Sequence, residues 1–88
     1  MTKLSDMVNL GKIAEQRLIS VGIESGEQLK KEGSKNAFIR LRLKEGDTCF
    51  STLCGLDGAV KGIRWHHLTK EEKSDLKNFF NEVTGKKG

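Results

Sequence analysis

The feature that most restricts the fold of this chain is the run Met7-Val8-Asn9-Leu10-Gly11-Lys12-Ile13-Ala14-Glu15-Gln16-Arg17-Leu18-Ile19-Ser20-Val21-Gly22-Ile23. It reads as a tight Asn-Leu-Gly turn, a short amphipathic helix and a second glycine turn closed by an isoleucine of the buried type. The chain contains no proline, so its helices must stop at residues that tolerate positive φ. Carried to the C-terminus, the same turn logic divides the sequence into five helical segments and no convincing strand.

The first helix is expected over residues 11–21, with Ile13, Ala14, Leu18 and Val21 as its core stripe. Ser25 caps a second helix, with Gln28 placed to complete a capping box, and this helix ends at Gly33. Ser34 caps a third, whose broad apolar side holds Ala37, Phe38 and Leu41. The alternation Ile39-Arg40-Leu41-Arg42-Leu43 also suits a strand, but good helix formers between Ser34 and Gly46 favour the helix. Asp47 caps a fourth helix over residues 48–61, striped by Cys49, Phe50, Leu53, Leu56 and Val60. Its internal Gly55 and Gly58 point to a place where another helix packs closely, since glycine costs about 1 kcal/mol relative to alanine there. Ile63-Arg64-Trp65 is a connector in which Trp65 plugs the core. Thr69-Lys70-Glu71-Glu72 is the clearest helix start, and Leu76, Phe79, Phe80 and Val83 follow at i, i+3, i+4 and i+7. A frayed tail is expected over residues 85–88.

The expected fold is therefore all-α: a compact five-helix bundle that begins like a helix-hairpin-helix module, forming one domain over residues 1–88. An 88-residue chain has room for a single modest core. Hydrophobic residues at 35% against 32% charged residues fit a folded domain rather than a disordered one. No run approaches the ~20 apolar residues needed to span a bilayer, and Asp6 and Asn9 break any signal-like segment. A cytoplasmic location and no membrane partner are expected.

Catalysis has little to draw on. No Ser/His/Asp ordering, paired carboxylate or phosphate loop after a strand is present, and His66-His67 reads as an exposed pair before a helix start. Cys49 and Cys54 read as free buried thiols, and the two histidines lack zinc-site spacing, so no metal, cofactor or small-molecule substrate is expected. The formal charge of +4 is uneven: residues 1–33 are neutral, 34–46 carry +3, 47–62 carry −1 and 63–88 carry +2. Gly11 and Lys12, at a turn opening a helix, have the ingredients of a phosphate contact. With Arg17, and with Lys35, Arg42 and Lys44 on the third helix, they make the candidate DNA-backbone site. No aromatic is placed to stack bases. Ile19, Ile39 and Leu43 fall off the main stripes and are the alternative, a patch for a protein partner or homo-oligomer.

Several segments resemble the C-terminal domain of the TfoX/Sxy family of competence regulators. They are Asn9-Leu10-Gly11, then Leu18-x-x-Val21-Gly22-Ile23, then Leu53-x-x-Leu56-x-Gly58-Ala59-x-x-Gly62-Ile63-x-Trp65-x-x-Leu68. The resemblance runs from about Leu4 to Phe80, and Lys12 stands where a proline often follows the glycine. It implies a compact bacterial all-α domain, related in shape to helix-hairpin-helix or SAM-like bundles, with no catalytic residues to carry over. In full-length members this domain follows an α/β domain, whereas this chain is expected to be a stand-alone C-terminal domain, and the whole protein is linked to regulation of DNA-uptake genes.

Overall fold

In the computed structural model, residues 2–46 and 48–85 are described. A 3-10 turn at Leu4–Asp6 leads into α1 (Lys12–Ile19), α2 (Gly26–Glu32), α3 (Ser34–Glu45), α4 (Phe50–Lys61), a second 3-10 turn at Trp65–His67, and α5 (Lys70–Thr84). The expected five-helix, all-α architecture is thus present, with no strand among the described residues. The stretch that alternates like a strand, Ile39 to Leu43, lies inside α3.

α3 and α4 form the central pair. α5 packs on α4, α2 lies against both α3 and α4, and α1 joins α3 and the N-terminal 3-10 turn. Phe38 sits fully buried between α5 rings, 6.3 Å from Phe79 and 5.9 Å from Phe80. Phe50 closes on Phe80 at 5.5 Å in an edge-on contact, the geometry that aromatic quadrupoles favour. Leu4, Leu18, Ile23, Leu29, Leu41, Leu53 and Leu76 complete the interior. The burial of Leu4 comes from a 3-10 turn that helical periodicity does not reveal.

The helix boundaries follow from local chemistry. Thr69 Oγ1 accepts the Glu72 N–H at 3.1 Å, and Glu72 returns the bond to the Thr69 N–H at 2.9 Å, the expected capping box. Ser25 caps α2 through Gln28 N–H, but the Gln28 side chain reaches the Glu24 N–H, one residue earlier than expected. Ser34 is the first residue of α3 instead of its cap; Gly33 precedes the helix, and the Ser34 hydroxyl donates to Asp57 on α4 at 2.8 Å. α4 opens at Phe50 behind Cys49, and the expected cap Asp47 lies outside the described residues. α4 ends in a Schellman motif: Ile63 N–H bonds Gly58 O at 2.9 Å and Gly62 N–H bonds Ala59 O at 3.2 Å, with Gly62 at φ 76°. Gly85 ends α5 in the same left-handed region, and residues 86–88 of the expected tail lie outside the described residues.

Three expected core positions are corrected. Ile13 is 76% exposed, because Leu18 sets the buried face of α1 and Ile13 lies about 140° around the helix from it. Cys49 is exposed at the mouth of α4, whereas Cys54 is buried, and burial raises its thiol pKa. Trp65 is 46% exposed, and Leu68, at 4%, fills the core in its place.

Candidate nucleic-acid interface

The Asn-Leu-Gly turn does more than reverse the chain. Asn9 adopts φ 71°, a left-handed conformation that asparagine tolerates better than most side chains. In that pose its amide nitrogen donates to Ile63 O at 2.9 Å and, at 3.4 Å, to Gly55 O. Its Oδ1 accepts the Trp65 N–H at 3.2 Å. One side chain therefore binds the start of α1 to the exit of α4.

Glycine makes that approach possible. A Cβ built on Gly58 would lie 2.5 Å from Asn9 Nδ2, 2.7 Å from Ile63 O and 3.2 Å from Trp65 N. Of the two α4 glycines, Gly58 is the site of a close approach and Gly55 is not, and the Asn9 turn and the Ile63–Trp65 connector make that approach where another helix was expected. This also explains the exposed Trp65: its backbone is drawn against α4, which leaves the ring at the rim.

The junction brings together two segments of distinctive composition. Residues 7–14 and 58–70 contain no aspartate or glutamate, yet they carry Lys12, Lys61, Arg64 and Lys70 together with His66 and His67. Lys12, Arg64, His66, His67 and Lys70 are exposed. Gly11 precedes α1 without any side-chain cap, so the first-turn N–H groups of that helix keep their positive character next to Lys12. Three of the nearby acids, Glu15, Asp57 and Glu72, are engaged elsewhere, while Asp6 and Glu71 are exposed. Glu15 accepts the Ser5 N–H at 3.1 Å, and Asp57 binds Ser34 and Lys61. Glu72 binds Lys61 at 2.7 Å and the Thr69 N–H, and these bonds lower its pKa to about 2. Burial works against the Lys61 ammonium, but its bonds to Asp57 and Glu72 outweigh burial and raise its pKa.

The remaining sequence candidates lie away from this junction. Arg17 forks onto Glu45, with Nη2–Oε1 at 2.7 Å and Nε–Oε1 at 3.0 Å. That bonding raises the Arg17 pKa and lowers that of Glu45. Lys35 pairs with Asp75 at 2.9 Å and lies over the Phe79 ring, while Lys44 donates to Ser20 O at 3.3 Å. Arg42 is half-buried on α3. Arg17, Lys44 and Glu45 thus cluster where α1 and α3 end, and Lys35 stands at the opposite end of α3. Of the apolar candidates, Leu43 is 83% exposed, Ile19 is 45% exposed and Ile39 is half-buried.

A shallow cavity of about 180 Å³ lies beside Asn9 and Arg17, smaller than the ~300–1,000 Å³ of ordinary ligand pockets. His66 and His67 do not line it. No group of three or more His, Cys, Asp or Glu able to hold a metal occurs among the described residues, and no described helix is long and apolar enough to cross a membrane. Sequence reasoning missed Arg64, Trp65 and the tethering role of Asn9. The legible signal was the acid-free run 58–70, which begins at the second glycine of α4 and continues through the connector.

Fold and junction define a small helical domain whose N-terminal turn is tied across the bundle to the α4–α5 connector. The match with known proteins is specific. The TfoX C-terminal domain family model matches residues 1–80, and the chain belongs to that family. The chain is similar to an uncharacterized protein from Listeria monocytogenes whose triclinic crystal structure superimposes with TM-score 0.93 at 44% identity, covering 96% of each chain. A tetragonal-form structure of a protein of unknown function from Listeria monocytogenes gives TM-score 0.88 at 45% identity, covering 91% of this chain and 99% of that one. No curated protein matches.

Proposed function

We propose that this chain is a non-catalytic regulatory or accessory module that binds the DNA backbone weakly and without sequence preference. The Asn9 turn acts in it as the phosphate-facing turn of a helix-hairpin-helix-like unit, working in the bacterial cytoplasm. One observation carries the reading: Asn9 fastens the uncapped start of α1 to an acid-free connector, so the backbone segments that bear Lys12 and Arg64 are held together. Amide groups at a helix start with a nearby Lys or Arg are a standard way to hold a phosphate, and they read no sequence. Arg17, Lys35 and Lys44 contribute less, because each already bonds within the chain. The family's link to DNA-uptake genes is consistent with such a role.

Affinity for a random-sequence duplex tests this. Neutralising two phosphates gives a roughly tenfold loss between about 50 and 200 mM salt, from a micromolar Kd at the low end. Lys12→Glu and Arg64→Glu should each weaken binding severalfold, and Lys35→Glu much less. Unchanged binding in both junction variants would place the contact elsewhere.

A second reading rests on Leu43, at 83% exposure, and Ile19, at 45%. They suit a protein partner or a second copy of the chain. Absence of duplex binding at low salt, with salt-tolerant self-association lost in Leu43→Lys, would favour that reading.

A further inference from the structure

We infer that the exposed turn Trp65–His67 is a stacking platform for unpaired nucleobases, so that the junction prefers single-stranded nucleic acid; this rests on the backbone-binding reading above. Tryptophan is the largest apolar side chain and the chain has one, yet the fold leaves it 46% exposed. What holds Trp65 is its backbone: the N–H is bonded by Asn9 and the main chain lies against Gly58. The ring is left at the surface next to two exposed histidines.

The three rings are arranged edge-on. Trp65 meets His66 at 5.7 Å and 88°, and His66 meets His67 at 4.7 Å and 73°. Edge-on contacts do not stack these rings on one another, so the turn presents aromatic surface to solvent. Arg64 precedes it, Lys12 lies across the Asn9 tether, and the surrounding acid-free segments suit a polyanion. A contact with phosphate alone has no use for an exposed indole. A duplex keeps its base faces stacked inside, whereas an unpaired base offers a face to an aromatic ring. The other largely exposed hydrophobics, Ile13, Ile19 and Leu43, are aliphatic and cannot serve this way.

The absence of tyrosine makes the test direct, since indole emission of the whole chain reports on Trp65 alone. The protein is titrated with a short oligothymidylate, an abasic phosphodiester strand of equal length and a random duplex, while anisotropy of a labelled strand reads binding independently. Oligothymidylate should quench Trp65 and bind at least about fivefold tighter than the abasic strand, the low end of one stacked base. Trp65→Ala should abolish that advantage and Trp65→Phe keep most of it, with helical circular dichroism retained and abasic-strand affinity within about twofold. Equal binding of all three ligands with unchanged Trp65 emission overturns the stacking platform and leaves backbone binding standing. Oligothymidylate binding with quenching, but no binding of abasic strand or duplex, supports stacking and overturns the backbone reading. No binding of any ligand overturns both.

Discussion

Gly58→Ala is expected to destabilise the domain by about 1–3 kcal/mol and to weaken the proposed DNA binding with it. On helix propensity alone the sign would be reversed, since alanine is ~1 kcal/mol better than glycine inside a helix. Position 58 inverts this because the new methyl meets Asn9 Nδ2 at 2.5 Å and the Ile63 carbonyl at 2.7 Å. The asparagine amide can swing aside only by giving up its bonds to Ile63 O and Gly55 O. The Ile63 carbonyl belongs to a main chain fixed by the Ile63 N–H bond to Gly58 O, so it cannot yield cheaply. Gly55 provides the control. A Cβ there meets only Asn9 Cβ at 3.9 Å, so Gly55→Ala should be neutral or stabilising by up to ~1 kcal/mol. Urea unfolding of the two variants reads the difference. If both alanines stabilised the protein, the close contact at Asn9 would not govern this corner of the fold.

Phe38→Ala should cost about 3–5 kcal/mol. Phe38 is fully buried on α3, and its ring links that helix to Phe79 and Phe80 of α5. Truncation removes the transfer free energy of the ring and leaves a void that the surrounding leucines cannot fill without leaving their rotamers. A domain of this size holds roughly 4–13 kcal/mol in total. Loss of ~4 kcal/mol therefore lowers the melting temperature by about 20 °C. Leu43→Ala on the same helix, at a site 83% exposed, should stay within about 0.5 kcal/mol of the parent. Thermal melts followed by circular dichroism at 222 nm separate the two.

The helices were legible because their signals are local. The Thr69–Glu72 box, Ser25 before α2 and the glycines at 33, 62 and 85 each specify a boundary within four residues of chain. The phenylalanines of α5 could be assigned to the core by spacing alone. Long-range placement was harder to read. Ile13 and Leu18 both fit an apolar stripe on α1, and only the packing partners decide that Leu18 faces inward and Ile13 outward. Trp65 looked like core because of its size, but the hydrogen bond its N–H donates to a side chain 56 residues away fixes its backbone and leaves the ring at the edge. The candidate site was legible only in part. Gly11 and Lys12 stood out as a turn opening a helix, whereas Arg64, 52 residues further on, joins them through the Asn9 tether. The basic residues of α3 looked like a face, but Lys35 and Lys44 are drawn to Asp75 and to Ser20 O at different ends of the helix.

The most direct test of the central claim, that Asn9 assembles a DNA-binding surface from the α1 turn and the α4–α5 connector, is amide chemical-shift mapping. The isotope-labelled chain is titrated at low salt with a random-sequence duplex. The expected result is a contiguous set of shifts at residues 9–14 and 63–68, absent in Lys12→Glu and suppressed by added salt. Shifts confined to the end of α3 around Leu43, or none at saturating duplex, would contradict it.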